Sequence, residues 1–177
     1  VEELQLSLEM DSCAMATYIA STKNLDETYM SLLDGVRSIL KAECTSLMFW
    51  NPRSSQLEVK YTHGVQSRLI HGMRFRLSDG VPGRVFESGE PSWTADVQGD
   101  PHLGQKEIPF HTLICLPLVS IKGEILGVVG AWHLNRDHQV STYELDIGST
   151  FITRASIAID NALLHQGYKD QTRDQAA

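Results

Sequence analysis

Basic residues are in short supply. The 177-residue chain carries 15 Lys and Arg against 22 Asp and Glu, a net charge of -7 with histidine neutral. Nucleic-acid affinity rests on clustered cations that neutralise phosphates, so no nucleic-acid partner is expected. Long apolar runs are also lacking. The longest uncharged one, near Thr112–Val119, is far short of the roughly 20 residues of a membrane-crossing helix. No basic start leads into an apolar targeting segment, so the expected location is the cytoplasm, with no membrane contact through this stretch. Val1 stands where an initiator Met would be, which reads as a segment cut from a longer chain. Cysteine is sparse: Cys13, Cys44 and Cys115 are odd in number, widely spaced and without a C-x-x-C or Cys/His metal pattern. They read as reduced thiols packed as small hydrophobes. Six Pro and 13 Gly exclude collagen-like or disordered composition.

What is present suffices for one core. Hydrophobic residues make up 42% of the chain, and its length fits one domain comfortably and two only tightly. From Glu2 to about Ser21 apolar residues recur at helical spacing, with Leu4, Leu8, Met15 and Ile19 on one side and Leu6, Met10, Cys13 and Thr17 beside them. That broad surface calls for a second partner besides the core. A new start signal at Ser21–Asn24, with acids at Asp26 and Glu27, opens a helix carrying Tyr29, Leu32, Leu33, Val36, Ile39 and Leu40 to about Ala42. The period then changes to strands at Thr45–Trp50 and Leu57–Thr62, a hairpin turning at residues 51–55. Met73–Leu77 is a short strand. Pro82 and Gly89 bracket a brief helix, roughly Val81–Ser88. Ser92–Val97 is another strand, followed by a long loop over Gln98–Pro109. Thr112–Val119 and Ile125–Leu134 read as central strands. Ser141 and Glu144 match a capping box, opening a last helix that runs to at least Tyr168 and is apolar on too many sides for one contact. The order is α-α-β-β-β-α-β-β-β-α: an α+β domain with a central, mainly antiparallel sheet of five or six strands and helices bundled on one face.

In this order the residues resemble the GAF family of sensory domains. Leu77-Ser78-Asp79-Gly80-Val81-Pro82-Gly83-Arg84-Val85-Phe86-Glu87-Ser88-Gly89-Glu90-Pro91 is similar to that family's strand, glycine turn and short helix, and Asp96 and Asp100-Pro101 follow in the familiar order. Leu116-Pro117-Leu118 with Gly123-Glu124-Ile125-Leu126-Gly127-Val128 resembles its paired core strands, and Ile157–Leu164 its closing helix. The resemblance spans about residues 25–164 of a single domain, 1–177. It implies a short helix and loops over the sheet face opposite the bundled helices. Gly80 and Gly83 permit backbone angles and close approaches that a Cβ would block. Gly127 and Gly130 leave room beside a core strand, for packing or for a ligand.

The resemblance implies a sensory domain without catalysis that controls an attached output domain. The excess apolar surface on Leu4–Ile19 and Phe151–Leu164 leads to the expectation of a homodimer through the N- and C-terminal helices. Any small ligand would lie between the sheet and the covering helix and loop, near Phe75, Phe86, Trp93, Asp96, His102, Phe110, His111 and Cys115. No cofactor and no metal are expected. His111 and Cys115, four apart on a strand, stand about 13 Å apart and cannot share an ion without distortion, which leaves His111 with His102 across the loop as the alternative pair. A haem sensor of this family would hold its iron before the Leu116-Pro117-Leu118 strand, where His111 is the nearby ligand. Bilin attachment lacks its Cys-His pair, and the cyclic-nucleotide motif begun by Asn135-Arg136 is broken. Free methionine sulfoxide reductases share the fold but use cysteines in the loops over the pocket, and the Asp96–Pro109 loop has none.

Overall fold

A computed structural model describes residues 24–103 and 107–175. The expected first helix, Glu2–Ser21, and Cys13 lie outside the described residues. The strands Cys44–Asn51 (β1), Gln56–Gly64 (β2), Arg74–Phe75 (β3), Ser92–Thr94 (β4), Thr112–Val119 (β5) and Ile125–His133 (β6) form a six-stranded sheet in the order β3-β2-β1-β6-β5-β4. Every neighbouring pair is antiparallel. The helices are Leu25–Leu40 (α1), Ser67–Ile70 (α2), Gly80–Ser88 (α3) and Thr142–Gln175 (α4).

Side chains alternate across a strand, so an apolar strand buried on both faces needs cover on both. On β5, Ile114 and Leu116 enter one core layer and Leu113 and Cys115 the other; on β6, Val129 and Ala131 oppose Val128 and Trp132. The first layer lies under α1 and α4. The α1 stripe Tyr29, Leu32, Leu33, Val36, Ile39 and Leu40 meets Ile147, Phe151, Ile152, Ala155, Ala158 and Ile159 of α4 there. Gly35 lets the two helices cross closely, since a Cβ there would sit 2.3 Å from Phe151 Cζ. The second layer lies under α2, α3 and the loop before β5, with Ile70, Val81, Val85, Val97, Leu103, Ile108 and Phe110 packed onto Trp132 and Leu113.

The helix ends are set by local chemistry. Asn24 caps α1 by accepting from the Asp26 amide at 2.9 Å, and Lys41 closes it in the left-handed region. Ser141 and Glu144 form the expected reciprocal box: the Ser141 amide donates to Glu144 Oε2 at 2.8 Å and the Glu144 amide to Ser141 Oγ at 3.1 Å.

Three expectations need correction. The strand expected at Met73–Leu77 pairs only at Arg74–Phe75, and that expected at Ser92–Val97 stops at Thr94. In both places the chain turns away from the sheet, through the Asp79-to-Arg76 backbone bond and the Asp96-to-Thr94 side-chain turn respectively. The helix α2 was not expected, because four residues carry no readable period.

Candidate functional site

The place where the resemblance puts a ligand is the second core layer, and here the protein's own side chains occupy it. Phe75, Phe110, Leu113, Cys115, Val85 and Trp132 are each at most 1% exposed. The Trp132 ring packs on Phe110 at 5.7 Å between centroids, and its Nε1 donates to Ser46 Oγ at 2.9 Å. That bond takes the room beside Gly130, where a Cβ would lie 2.7 Å from Ser46 Oγ. Gly127 is likewise a packing device: a Cβ there would meet the Met48 carbonyl oxygen at 2.3 Å.

Of the eight candidate residues, Phe75, Phe110 and Cys115 meet in this layer. Phe86 stacks on Trp50 at 5.6 Å and 17°, fixing α3 to the end of β1. Trp93 pairs with Ile114, whose side chain belongs to the layer under α1 and α4, so Trp93 stands on the sheet face away from α3 and is 42% exposed. Asp96 and His102 are exposed in the covering loop. Asp96 Oδ1 accepts from the Gly99 amide at 3.0 Å, and His102 Nδ1 lies 3.4 Å from Asp79 Oδ1 at the start of α3. His111 is half-buried; its carbonyl accepts from Val97 and its amide donates to the His133 carbonyl.

Among the described residues, grooves open on the surface beside the Phe86 stack and against α4. One, of about 660 Å³, is lined by Trp50, Gln56, Arg76, Ser78 and Glu87 beside the Phe86 stack. The other, of about 650 Å³ and mostly apolar, lies between the β5–β6 turn and α4, where Ile121, Leu126, Leu163 and Leu164 face it. Asp160 Oδ2 accepts from the Ile121 amide at 2.8 Å, tying that turn to the helix.

The described thiols are built for packing. Burial pushes Cys44 up to about 12 and raises Cys115 further, the Arg37 and Arg84 charges only partly opposing it. A nucleophilic cysteine needs the opposite shift, because the thiolate is the reactive form. At pH 8 a thiol of that kind carries on the order of 1,000-fold less thiolate than a free one. Iodoacetamide is therefore expected to leave Cys44 and Cys115 unmodified in the native protein and to label both in urea, as read by peptide mass spectrometry. Rapid native labelling of either would contradict the packing.

A third constellation was not legible in the sequence. His133, His138 and Glu144 come together where β6 ends and α4 begins, one ligand atom from each lying within 4.8 Å of the other two. The two rings stack at 4.0 Å and 12°. His133 is 2% exposed, and desolvation pushes its pKa down against the Leu40 carbonyl bond that raises it.

An antiparallel sheet in this strand order, with a helix pair on one face and a short glycine-initiated helix on the other, defines an α+β architecture. Residues 22–160 match the family model of the GAF domain, and the chain belongs to that family. No curated protein matches it. Among solved structures it is similar to the GAF domain of a phosphoenolpyruvate-protein phosphotransferase from Coxiella burnetii, with 20% identity over 92% of this chain and 98% of that one and a TM-score of 0.73. It is similar too to the free methionine-R-sulfoxide reductase of Neisseria meningitidis, solved with its substrate, with 14% identity over 89% and 90% and a TM-score of 0.73. A methyl-accepting chemotaxis protein fragment, residues 122 to 287, shares 20% identity over 85% and 97% with a TM-score of 0.64. At these identities the likeness is one of fold. Among the described residues no helix is long and apolar enough to cross a membrane.

Proposed function

We propose that this chain is a non-catalytic sensory input domain of a signal-transduction protein, which dimerises through its terminal helices and passes a change in packing to an attached output domain. The observation that carries this reading is the course of α4. Among its described side chains, which reach Gly167, the last buried one is Ala162, and the helix itself continues to Gln175. At about 1.5 Å per residue, α4 is some 51 Å long, while the nine residues of β6 span about 30 Å. Ile157, Leu163 and Leu164 are 54%, 39% and 61% exposed, with Ile121 of the tethered turn beside them at 65%. A helix leaving a domain with apolar residues exposed is suited to pairing with its copy and to transmitting a shift. A small ligand beneath α3 requires the Phe110–Trp132 layer to open, so binding selects a conformation in which α3 and its loop are displaced. The burial and raised pKa of Cys44 and Cys115 favour this reading over the reductase of the same fold.

The test is sedimentation analysis of the chain with Leu164→Glu as the variant. The native chain is expected to dimerise at micromolar concentrations, and the variant to raise the dimer dissociation constant at least about tenfold, or about 1.4 kcal/mol. A native chain that stays monomeric at several hundred micromolar would overturn the dimer. Turnover of free methionine sulfoxide by the purified chain would overturn the non-catalytic assignment.

A further inference from the structure

The junction of β6 and α4 contains three buried polar atoms with no hydrogen-bond partner, His133 Nδ1, His138 Nε2 and Thr112 Oγ1. Thr112 and His133 are directly opposed in the β5–β6 register, so both side chains stand on the same face of the sheet. Buried polar groups are nearly always satisfied, and an orphan points to something that fits beside it. The orphan on His133 has a defined character. Its Nε2 lies 3.0 Å from the Leu40 carbonyl oxygen, which can only accept. Nε2 therefore carries the proton, and Nδ1 presents a bare lone pair, with the ring oriented by a backbone carbonyl as metal-ligating histidines commonly are.

The other two members complete a ligand set. His138 Nε2 lies 2.9 Å from Glu144 Oε1, close enough for an ion pair but without hydrogen-bond alignment. Glu144 is held by the capping box, its Oε2 accepting from the Ser141 amide and hydroxyl. Glu43 adds negative charge nearby while its Oε2 accepts from the Leu134 amide at 2.9 Å. The His138 and Glu144 side chains are each about one fifth exposed, so the cluster lies just beneath the surface.

We propose that His133, His138 and Glu144 bind one divalent transition-metal ion of the zinc class, pinning the first turn of α4 to the end of β6. Two imidazoles and a carboxylate suit Zn²⁺ and its neighbours rather than Mg²⁺ or Ca²⁺, and leave a fourth position for water. Ligands at 2.0–2.1 Å in a tetrahedron stand about 3.3 Å apart, so the separations here shorten by at most about 1.5 Å. Parallel stacked rings aim their lone pairs side by side. Binding therefore turns the His138 imidazole out of the stack, which its place in the turn before α4 permits, while His133 stays fixed by Leu40. The ion would join the sheet to the helix that leaves the domain, so its occupancy would stiffen that joint.

The experiment is a Co²⁺ titration of the tag-free 177-residue chain followed by visible absorption, then displacement with Zn²⁺. One Co²⁺ per chain is expected, with the intense d–d bands of a four-coordinate site that Zn²⁺ abolishes. His138→Ala and Glu144→Gln should each weaken Zn²⁺ binding by more than the roughly 10–100-fold that loss of an outer-shell partner costs. Glutamine also serves in a capping box, so Glu144→Gln keeps the helix start intact. His165→Ala, an exposed residue of α4, should bind as the native chain does. Zn²⁺ should also raise the thermal midpoint of the native chain and leave that of the two site variants unchanged. Absence of binding at millimolar Co²⁺ and Zn²⁺, or native affinity in either site variant, overturns the proposal. Either result leaves the sensory reading untouched, because that reading rests on the far end of α4.

Discussion

Trp132→Ala is expected to lower the unfolding free energy by about 3–5 kcal/mol, the range for truncating a large aromatic in a core. With roughly 2–4 °C lost per kcal/mol in a domain of this size, the thermal midpoint should fall by about 12 °C. Trp132 is fully buried, touches Phe110, and anchors Ser46 from the neighbouring strand. Urea denaturation checks the value, with an unchanged slope showing that the native fold is kept. A loss below about 1 kcal/mol would mean that the layer under α3 is loosely filled rather than packed. Trp132→Phe separates the hydrogen bond from the ring. It leaves the Ser46 hydroxyl buried without its donor, and Ser46→Ala in the same background should recover part of the loss, with a coupling of about 1 kcal/mol.

The same variant tests the proposed opening of the layer beneath α3. An indole-sized hole beside Phe110 and Leu113 would be apolar except for the Ser46 hydroxyl, and largely apolar cavities of that kind accept small hydrophobic molecules. Indole should therefore stabilise Trp132→Ala and not the native protein; at a concentration 100 times its dissociation constant the gain is about 2.7 kcal/mol. Selective rescue would show that the layer under α3 becomes a binding chamber once its own aromatic is withdrawn. Equal effects of indole on both proteins would place its binding elsewhere.

Legibility in the sequence followed the length scale of each signal. The Asn24 cap, the Ser141–Glu144 box, the β1–β2 and β5–β6 hairpins and the α1 stripe are encoded within a few residues of one another, and all stand where the periodicity puts them. Strand lengths were less legible, because pairing at β3 and β4 depends on where the neighbouring strand ends and not on local apolar alternation. The candidate site shows the same limit. Phe75, Phe110 and Cys115 converge because the sheet order brings β3 and β5 over one layer, whereas register alone sends Trp93 to the opposite face. His133 and His138 belong to no common period. The turn in which His138 and Asp137 donate to Asn135 folds one ring back over the other, and only tertiary structure carries that information.

Gly83→Ala is expected to cost about 3 kcal/mol, the upper end of the overpacking range, and to act through α3. A Cβ at Gly83 would lie 2.2 Å from the Leu77 carbonyl oxygen and 2.6 Å from that of Arg76. These neighbours are backbone, so no side-chain rotamer relieves the clash, and the helix must move off the end of β3. Moving it withdraws Val81 and Val85 from the second layer and strains the Phe86 stack on Trp50. The first layer does not depend on Gly83, so α1, α4 and the β5–β6 hairpin should keep their amide-exchange protection while α3 and the loop before β5 lose theirs. Gly167→Ala is the control. That glycine is helical with nothing within 4 Å, and alanine there should be neutral or stabilising by up to about 1 kcal/mol. If loss of protection in Gly83→Ala reaches α4 as strongly as α3, the two faces of the sheet respond as one body. Confinement to α3 would make that helix a cover that opens independently, leaving the Phe110–Trp132 layer as the element through which the effect of the proposed ligand would cross to α4.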